Sequence, residues 1–294
     1  MINHRTETLI CFVICLLSAL QCFPAISVID DEGRQITVTQ PVQRIISLAP
    51  HTTELLFAAG AGNKLVGTAK YSDYPAAARN IPRVGDTHSL DMERIISLNP
   101  DLIVIWQSGN GAGVMERIQD LHFRTYLSEP KTIASIAKSI NDFGLLAGTY
   151  KIAKRSSEQF MNTLQKLRHR FAGRPAVSVF YQIWDQPLFT INGKHLISQA
   201  LRICGGRNIF AELPALSPQV GLEAVLDRNP QVIIASGANA DRFHWLDKWE
   251  KWPSLSAVKN RHLYFIPPDL IQRHTPRFLK GAAMLCKFLD RARE

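Results

Sequence analysis

Two glutamates hold matched places in stretches of this chain about 130 residues apart. Residues 92–105 read MERIISLNPDLIVI and residues 222–235 read LEAVLDRNPQVIIA. In each, an acidic residue (Glu93, Glu223) opens a short amphipathic helix, an Asn-Pro pair (Asn99 and Pro100, Asn229 and Pro230) stops it, and a β-branched run follows as a buried strand. The chemistry open to these carboxylates is ionic. Each can pair with a cation, or can simply favour its own helix N-terminus by about 0.3–1 kcal/mol. Self-similarity at this spacing suggests two lobes of like construction, each offering one glutamate at the same place on its surface. Chance is the competing reading, because helix, Asn-Pro turn and strand are common in α/β proteins.

Covalent or hydrolytic chemistry has less support. The sequence holds no G-x-S-x-G elbow, no H-E-x-x-H pair and no P-loop, so an exported hydrolase is a remote reading. The nine histidines are dispersed, and His51, His88 and His122 share no ligand spacing. A zinc or manganese site would need His51 to converge with distant residues. No catalytic residue, catalytic cofactor or protein-bound metal is assigned.

The elements that must position these groups begin after an N-terminal leader. His4 and Arg5 precede an apolar run from Leu9 to Leu20, too short to span a bilayer comfortably, and Ala25 to Ser27 supplies small residues at cleavage spacing. Residues 1–27 therefore read as a secretory signal peptide, cut after Ser27 or Ala25. A retained anchor is the competing reading, weakened by Gln21 and Pro24, and Cys22 sits in a poor lipidation signal. Of five cysteines, Cys11, Cys15 and Cys22 lie in this segment. That leaves Cys204 and Cys286, which form either two buried thiols or one disulfide worth roughly 4 kcal/mol on the chain-entropy model. The net charge of +9 survives cleavage, since Arg5 and Glu7 cancel. Lys and Arg are scattered without a nucleic-acid motif, so a solvated basic surface is expected and no nucleic-acid partner.

Strands and helices alternate along the mature chain, which argues for parallel sheets covered on both faces. Residues 28–39 read as a hairpin around Asp31 to Gly33. Strands are expected at Arg44 to Leu48, Lys64 to Thr68, Leu102 to Trp106 and Arg124 to Leu127. Helices are expected at Thr52 to Ala59 with a threonine cap, and near residues 91–98, 113–121 and 132–147. From Tyr150 to Ala172 runs a stretch without Gly or Pro, with Phe160, Leu164, Leu167 and Phe171 at helical spacing, ending at Gly173 and Pro175. Such a helix would be roughly 35 Å long, either a rigid strut between lobes or a surface helix of one lobe. Beyond it come a strand over 176–184, a helix over 196–204, the second repeat and a last helix over 276–292. The domains so read are the leader, an N-terminal α/β lobe (28–149), a linking helix (150–173) and a C-terminal α/β lobe (174–294).

With these elements in place, residues 44–50 (RIISLAP) with Thr53, Glu54 and Leu55, residues 71–75 (YSDYP), the two glutamate units, residues 204–210 (CGGRNIF) and residues 252–258 (WPSLSAV) form a set. The whole mature chain resembles the periplasmic substrate-binding proteins of the iron-siderophore and cobalamin class, which serve ABC importers. The resemblance implies two parallel-sheet lobes joined by one long helix and a ligand cleft between them. It also implies a monomer, and one glutamate per lobe (Glu93, Glu223) docking on arginines of the membrane permease.

Within the class the nearest likeness is to cobalamin binders. It implies a disulfide between Cys204 and Cys286, and a cleft lined by Tyr71, Trp106 and the loop Asp269, Leu270, Ile271, Gln272 and Arg273. Aromatic faces and a few donors suit a broad, mostly apolar corrin, although Tyr71 and Trp106 could equally be packing residues at the mouth of a sheet. The chain departs from the pattern at Thr87 and Ser217, which stand where aromatics are expected, and in the aromatic-free 269–273 loop. Haem is the alternative ligand, with Tyr71 on iron and Arg273 or His274 on the propionates, and a ferric siderophore is another.

Overall fold

Alternate residues of a β-strand face opposite ways, so a sheet covered on both sides needs apolar residues at consecutive positions. The strands of this chain have them. In the computed structural model, which describes residues 25–86, 89–237 and 242–294, Ile45, Leu102 and Val104 enter one core, while their neighbours Ile46, Ile103 and Ile105 enter another. The expected leader lies outside the described residues except at its end, as do Thr87 and His88.

The strands are β1 (Ile26–Ile29), β2 (Gln35–Val38), β3 (Ile45–Ser47), β4 (Leu65–Thr68), β5 (Leu102–Trp106), β6 (Thr125–Ser128), β7 (Val177–Gln182), β8 (Gly206–Asn208), β9 (Val232–Ala235) and β10 (Leu263–Phe265). β1 and β2 form the antiparallel hairpin. It is pinned to β6 by buried Asp30, which accepts from the Arg34 and Leu127 backbone N–H groups at 2.8 and 3.1 Å. Ile26 and Ser27 already pair with Val38 and Thr37, so the folded lobe starts two residues sooner than a boundary at 27 allows.

Two parallel sheets follow, in the orders β4-β3-β5-β6 and β8-β7-β9-β10. Counted in chain order within each sheet, both read 2-1-3-4. In both, the repeated helix (Met92–Ser97, Leu222–Arg228) leads into the third strand. Each is terminated by an asparagine at φ 42°, followed by proline. Asparagine tolerates the left-handed conformation and proline cannot continue a helix, so the same local chemistry makes the same stop twice.

Between the sheets runs the helix Tyr150–Phe171, which turns Phe160, Leu164 and Phe171 inward. It packs on the preceding helix Ile133–Leu146, where a Cβ at Gly144 would sit 2.1 Å from that of Ala153. One core runs from the inner face of the first sheet, through this helix, to the inner face of the second and the C-terminal helix Phe278–Arg291. Each sheet has a separate core on its outer face. The fold is therefore two α/β lobes on one helix.

The helix expected from Thr52 begins instead at Pro50, and its N-cap is Ala49. Proline lacks the N–H that a first turn leaves unpaired and its fixed φ suits the start, so it opens the helix. Thr52 and Thr53 turn inward onto the Ala49 carbonyl and the Ser47 hydroxyl.

Candidate functional site

Ligands of open α/β sheets bind beyond the carboxyl ends of the strands. Here those ends face each other across the two lobes. The helix begun by Pro50 after β3 carries His51 in its first turn, the loop after β4 carries Tyr71 and Asp73, and β5 ends at Trp106. On the other side, β7 leads to Trp184, β9 to Ser236, and β10 to the turn Pro268–Ile271 and Arg273.

The contact between them is ionic and largely buried. Glu54, on the helix begun by Pro50, is 2 % exposed. It accepts from Arg273 Nη1 at 3.1 Å, and from Arg277 Nε at 2.9 Å and Nη2 at 2.5 Å. Arg273 Nη1 also reaches Asp73 at 2.9 Å. Its Nη2 reaches Asp269 at 2.9 Å and the Tyr71 carbonyl at 3.4 Å. Burial pushes the Asp73 carboxyl up, but the Arg273 hydrogen bond and charge outweigh it and hold the group below its ordinary range. Arg277 also lies over the Tyr74 ring, 3.9 Å from its centroid.

Beside this cluster His51 meets Trp106 edge-on at 5.2 Å and His274 at 6.0 Å between ring centroids. Burial, with the charges of His274 and Arg273, lowers the His51 pKa to about 3, and burial lowers His274 to about 4. Both imidazoles are neutral at pH 7. In the haem alternative His274 would meet a propionate as a neutral donor, and Arg273 would exchange one of its present carboxylate or carbonyl partners for it. Among the described residues no three His, Cys, Asp or Glu side chains gather to hold a metal ion.

Tyr71 is 65 % exposed and sits at φ 66°, a conformation uncommon outside glycine, with Lys70 Nζ 5.1 Å from its ring centroid. Trp106 is half-buried. Its backbone N–H is held by Asn110 Oδ1 at 2.7 Å, and the absence of a Cβ at Gly109 leaves room for its ring. The 269–273 segment is not a uniform lining. Ile271 is fully buried in the shared core, and Leu270 backs onto Gly281, where a Cβ would come within 2.5 Å of its carbonyl oxygen. Gln272 donates to the Ser236 carbonyl, and Asp269 and Arg273 belong to the ion cluster. Ser217 is exposed.

The sequence reading passed over Trp184. Its indole is 49 % exposed and stands edge-on to buried Trp245 at 5.9 Å. Asp185 beside it is tied to Lys248 and Gln182, and Gln182 Oε1 accepts from Trp249 Nε1 at 2.9 Å. An aromatic just past a buried parallel strand was the available signal, the same one that marks Trp106. Glu54 and Arg277 were missed as well, because their partners lie more than 200 residues away.

A groove of about 640 Å³ opens beside Glu54, which lines it together with Phe57, Tyr74, Phe160, Arg277 and Leu279. It does not include Tyr71 or Trp106. Glu93 and Glu223 are both exposed, in the first turns of their helices. Each of these helices returns from the carboxyl side of its sheet to the start of the next strand, so both glutamates stand on the side where the strand ends meet. Cys204 and Cys286 form a disulfide that ties the helix Leu196–Ile203 to the C-terminal helix, which decides between the two states left open for these thiols.

Residues 45–270 match the periplasmic binding protein family. The chain is 36 % identical over 255 residues to the vitamin B12-binding protein of Vibrio cholerae, a match covering 86 % of this chain and 91 % of that protein. The crystal structure of the periplasmic vitamin B12-binding protein of Vibrio cholerae superposes with a TM-score of 0.81 at 36 % identity, over 86 % of this chain and 99 % of that one. A periplasmic haem-binding protein from Roseiflexus shares the fold alone, with a TM-score of 0.74 at 20 % identity over 85 % of this chain and 99 % of that one. No helix among the described residues is long and apolar enough to cross a membrane. By residues matched and by extent of identity, the chain belongs to the periplasmic binding protein family.

Proposed function

We propose that this chain is a periplasmic receptor that holds a corrinoid, cobalamin above all, between the carboxyl ends of its two sheets and passes it to the permease of an ABC importer. The observation that carries this reading is the pair of exposed aromatic faces, Tyr71 from one lobe and Trp184 from the other, at strand ends that meet across the cleft. A relative of 36 % identity that bears the name of a vitamin B12-binding protein supports the ligand class. In this reading Tyr71 and Trp106 contact the ring from the N-terminal lobe. Asp269, Gln272 and the exposed part of Leu270 border it from the other, and Ile271 and Arg273 support that border from behind.

Glu93 and Glu223 then take arginines of the permease, one per lobe. Two separated anchors fix orientation, and exposed carboxylates contribute steering more than affinity. The leader is removed after Ala25, just ahead of β1, and residues 26–149, 150–173 and 174–294 act as lobe, strut and lobe of a monomer. Calorimetric titration with cyanocobalamin, cobinamide, haemin and a ferric siderophore tests the ligand. Micromolar or tighter binding of the corrinoids is expected, and binding of haemin alone would overturn the reading.

A further inference from the structure

We propose that the carboxylates of Glu54, Asp73 and Asp269 make the cleft selective by charge: they occupy the terminal nitrogens of Arg273, so that a chelate bearing a free carboxylate finds that guanidinium already paired and meets carboxylates beside it. The class admitted is uncharged or cationic chelates whose arms end in amides, alcohols or esters. This proposal rests on the reading of the cleft as a chelate site.

The cluster is over-supplied with negative charge. Two cations, Arg273 and Arg277, face three anions, Glu54, Asp73 and Asp269, which sums to 2 − 3 = −1. The Arg273 side chain is only 16 % exposed, and both its terminal nitrogens are engaged at 2.9–3.4 Å. A bidentate carboxylate fork, the geometry for which arginine is suited, is therefore not on offer. The Asp73 and Asp269 side chains remain 47 % and 41 % exposed, so the cluster presents oxygen, not nitrogen, to an incoming group. Asp73 stands two residues from Tyr71, whose carbonyl is part of the same network, so the charge lies beside the aromatic face.

The neighbouring histidines add no compensating cation. His51 is buried and His274 and His195 are partly so, which lowers their pKa values to about 3, 4 and 4 and leaves all three neutral at pH 7. Lys70, over the Tyr71 ring, and Arg79, whose Nε reaches the Asp73 carbonyl at 3.3 Å, are cations of the same loop, whose third, Arg83, is tied to the Thr68 hydroxyl. Lys70 and Arg79 are exposed. Water and salt screen them, so they steer ligands without forming a built anion site. Specificity here comes from a repulsive element as much as from contacts made.

The test uses pairs of ligands that differ in charge and little else. Cyanocobalamin is compared with its monocarboxylic acids, in which one amide arm is hydrolysed, and haemin with its dimethyl ester, by calorimetric titration of the mature protein. The amide should bind about tenfold tighter than the carboxylate, and the gap should narrow as salt rises. Asp73→Ala and Asp269→Ala should each shrink the ratio about threefold or more, with thermal unfolding recorded to confirm that both variants fold. Equal binding of amide and carboxylate, or a ratio untouched in both variants, would overturn the charge proposal while leaving the corrinoid reading intact. Ester-selective porphyrin binding without corrinoid binding would overturn the corrinoid reading alone. Binding of neither pair would overturn both.

Discussion

The two lobes share a topology and part company in the side chains that hold it. Before the third strand of the first sheet, Asp91 caps its helix by accepting from the Arg94 N–H at 2.9 Å. Gly221 at the same place has no side chain to offer. After the Asn-Pro stop, Asp101 accepts from the N–H groups of Gln43 and Arg44 at 2.7 and 3.0 Å. Gln231, its counterpart, accepts from the Ser178 N–H at 2.9 Å. Arg44 further ties up the carbonyls of Leu98 and Asn99. Each lobe thus fastens its repeated helix to its first strand, the first with charge and the second with a neutral amide. The glutamates are held in register by both devices, while the carboxyl ends are not alike at all. One brings Tyr71, Trp106, Glu54 and Asp73, the other Trp184, Trp245, Asp269 and the two arginines. A repeat of the scaffold thus coexists with an unrepeated cleft.

The strongest way to break this comparison is to remove the matched pair. Glu93→Ala with Glu223→Ala should abolish stimulation of the cognate importer's ATPase while calorimetry still reads the parent affinity, and unchanged stimulation would end the docking role. Next comes the unmatched cleft. Trp106→Ala and Trp184→Ala should each weaken corrinoid affinity ten- to about a hundredfold, with Trp184→Phe retaining most of it. Equal binding by Trp184→Ala would remove that indole from the site.

The buried imidazoles give a pH test. His51 and His274 titrate near 3 and 4 in the folded chain against 6.5 unfolded, so the unfolded chain binds more protons between those values. Their contribution is complete above about pH 6.5 and is lost as pH falls toward the folded values, on the order of 2 kcal/mol for each group by pH 5. Asp73, held below its ordinary range, keeps its contribution through this window and loses it only under stronger acid. Urea unfolding at pH 7.5 and 5 should show the loss, and His274→Gln should flatten the profile. The smallest effect lies in the scaffold, where Asp101→Ala should cost about 2 kcal/mol and Gln231→Ala about 1 kcal/mol, a difference read by thermal unfolding.

What the sequence made legible was local chemistry. Asn99 and Asn229 announce their helix stops because the signal lies in adjacent residues, and the long helix shows in its own period. Trp106 was visible as an aromatic closing an apolar run, and Trp184 could have been found the same way. The three-residue β8 was hidden among glycines that read as a helix end. The ion cluster left no trace, because Glu54 and Arg273 are 219 positions apart and nothing in either segment encodes the other. Pro50 misled through its neighbours, since Thr52 and Thr53 look like caps until their hydroxyls prove to be spent inside the lobe.

The core that runs through the linking helix sets how a held molecule can leave. Spreading the lobes would bring Phe160, Leu164 and their partners into water at about 25 cal/mol per Å² of apolar surface, and it would break the bonds to Glu54. On the proposed reading, an occupant would therefore leave the free protein slowly, and discharge would be work done from outside, by a permease that takes Glu93 on one lobe and Glu223 on the other and draws them apart. The importer that spends the fuel, and not the receptor, would then keep the clock of delivery.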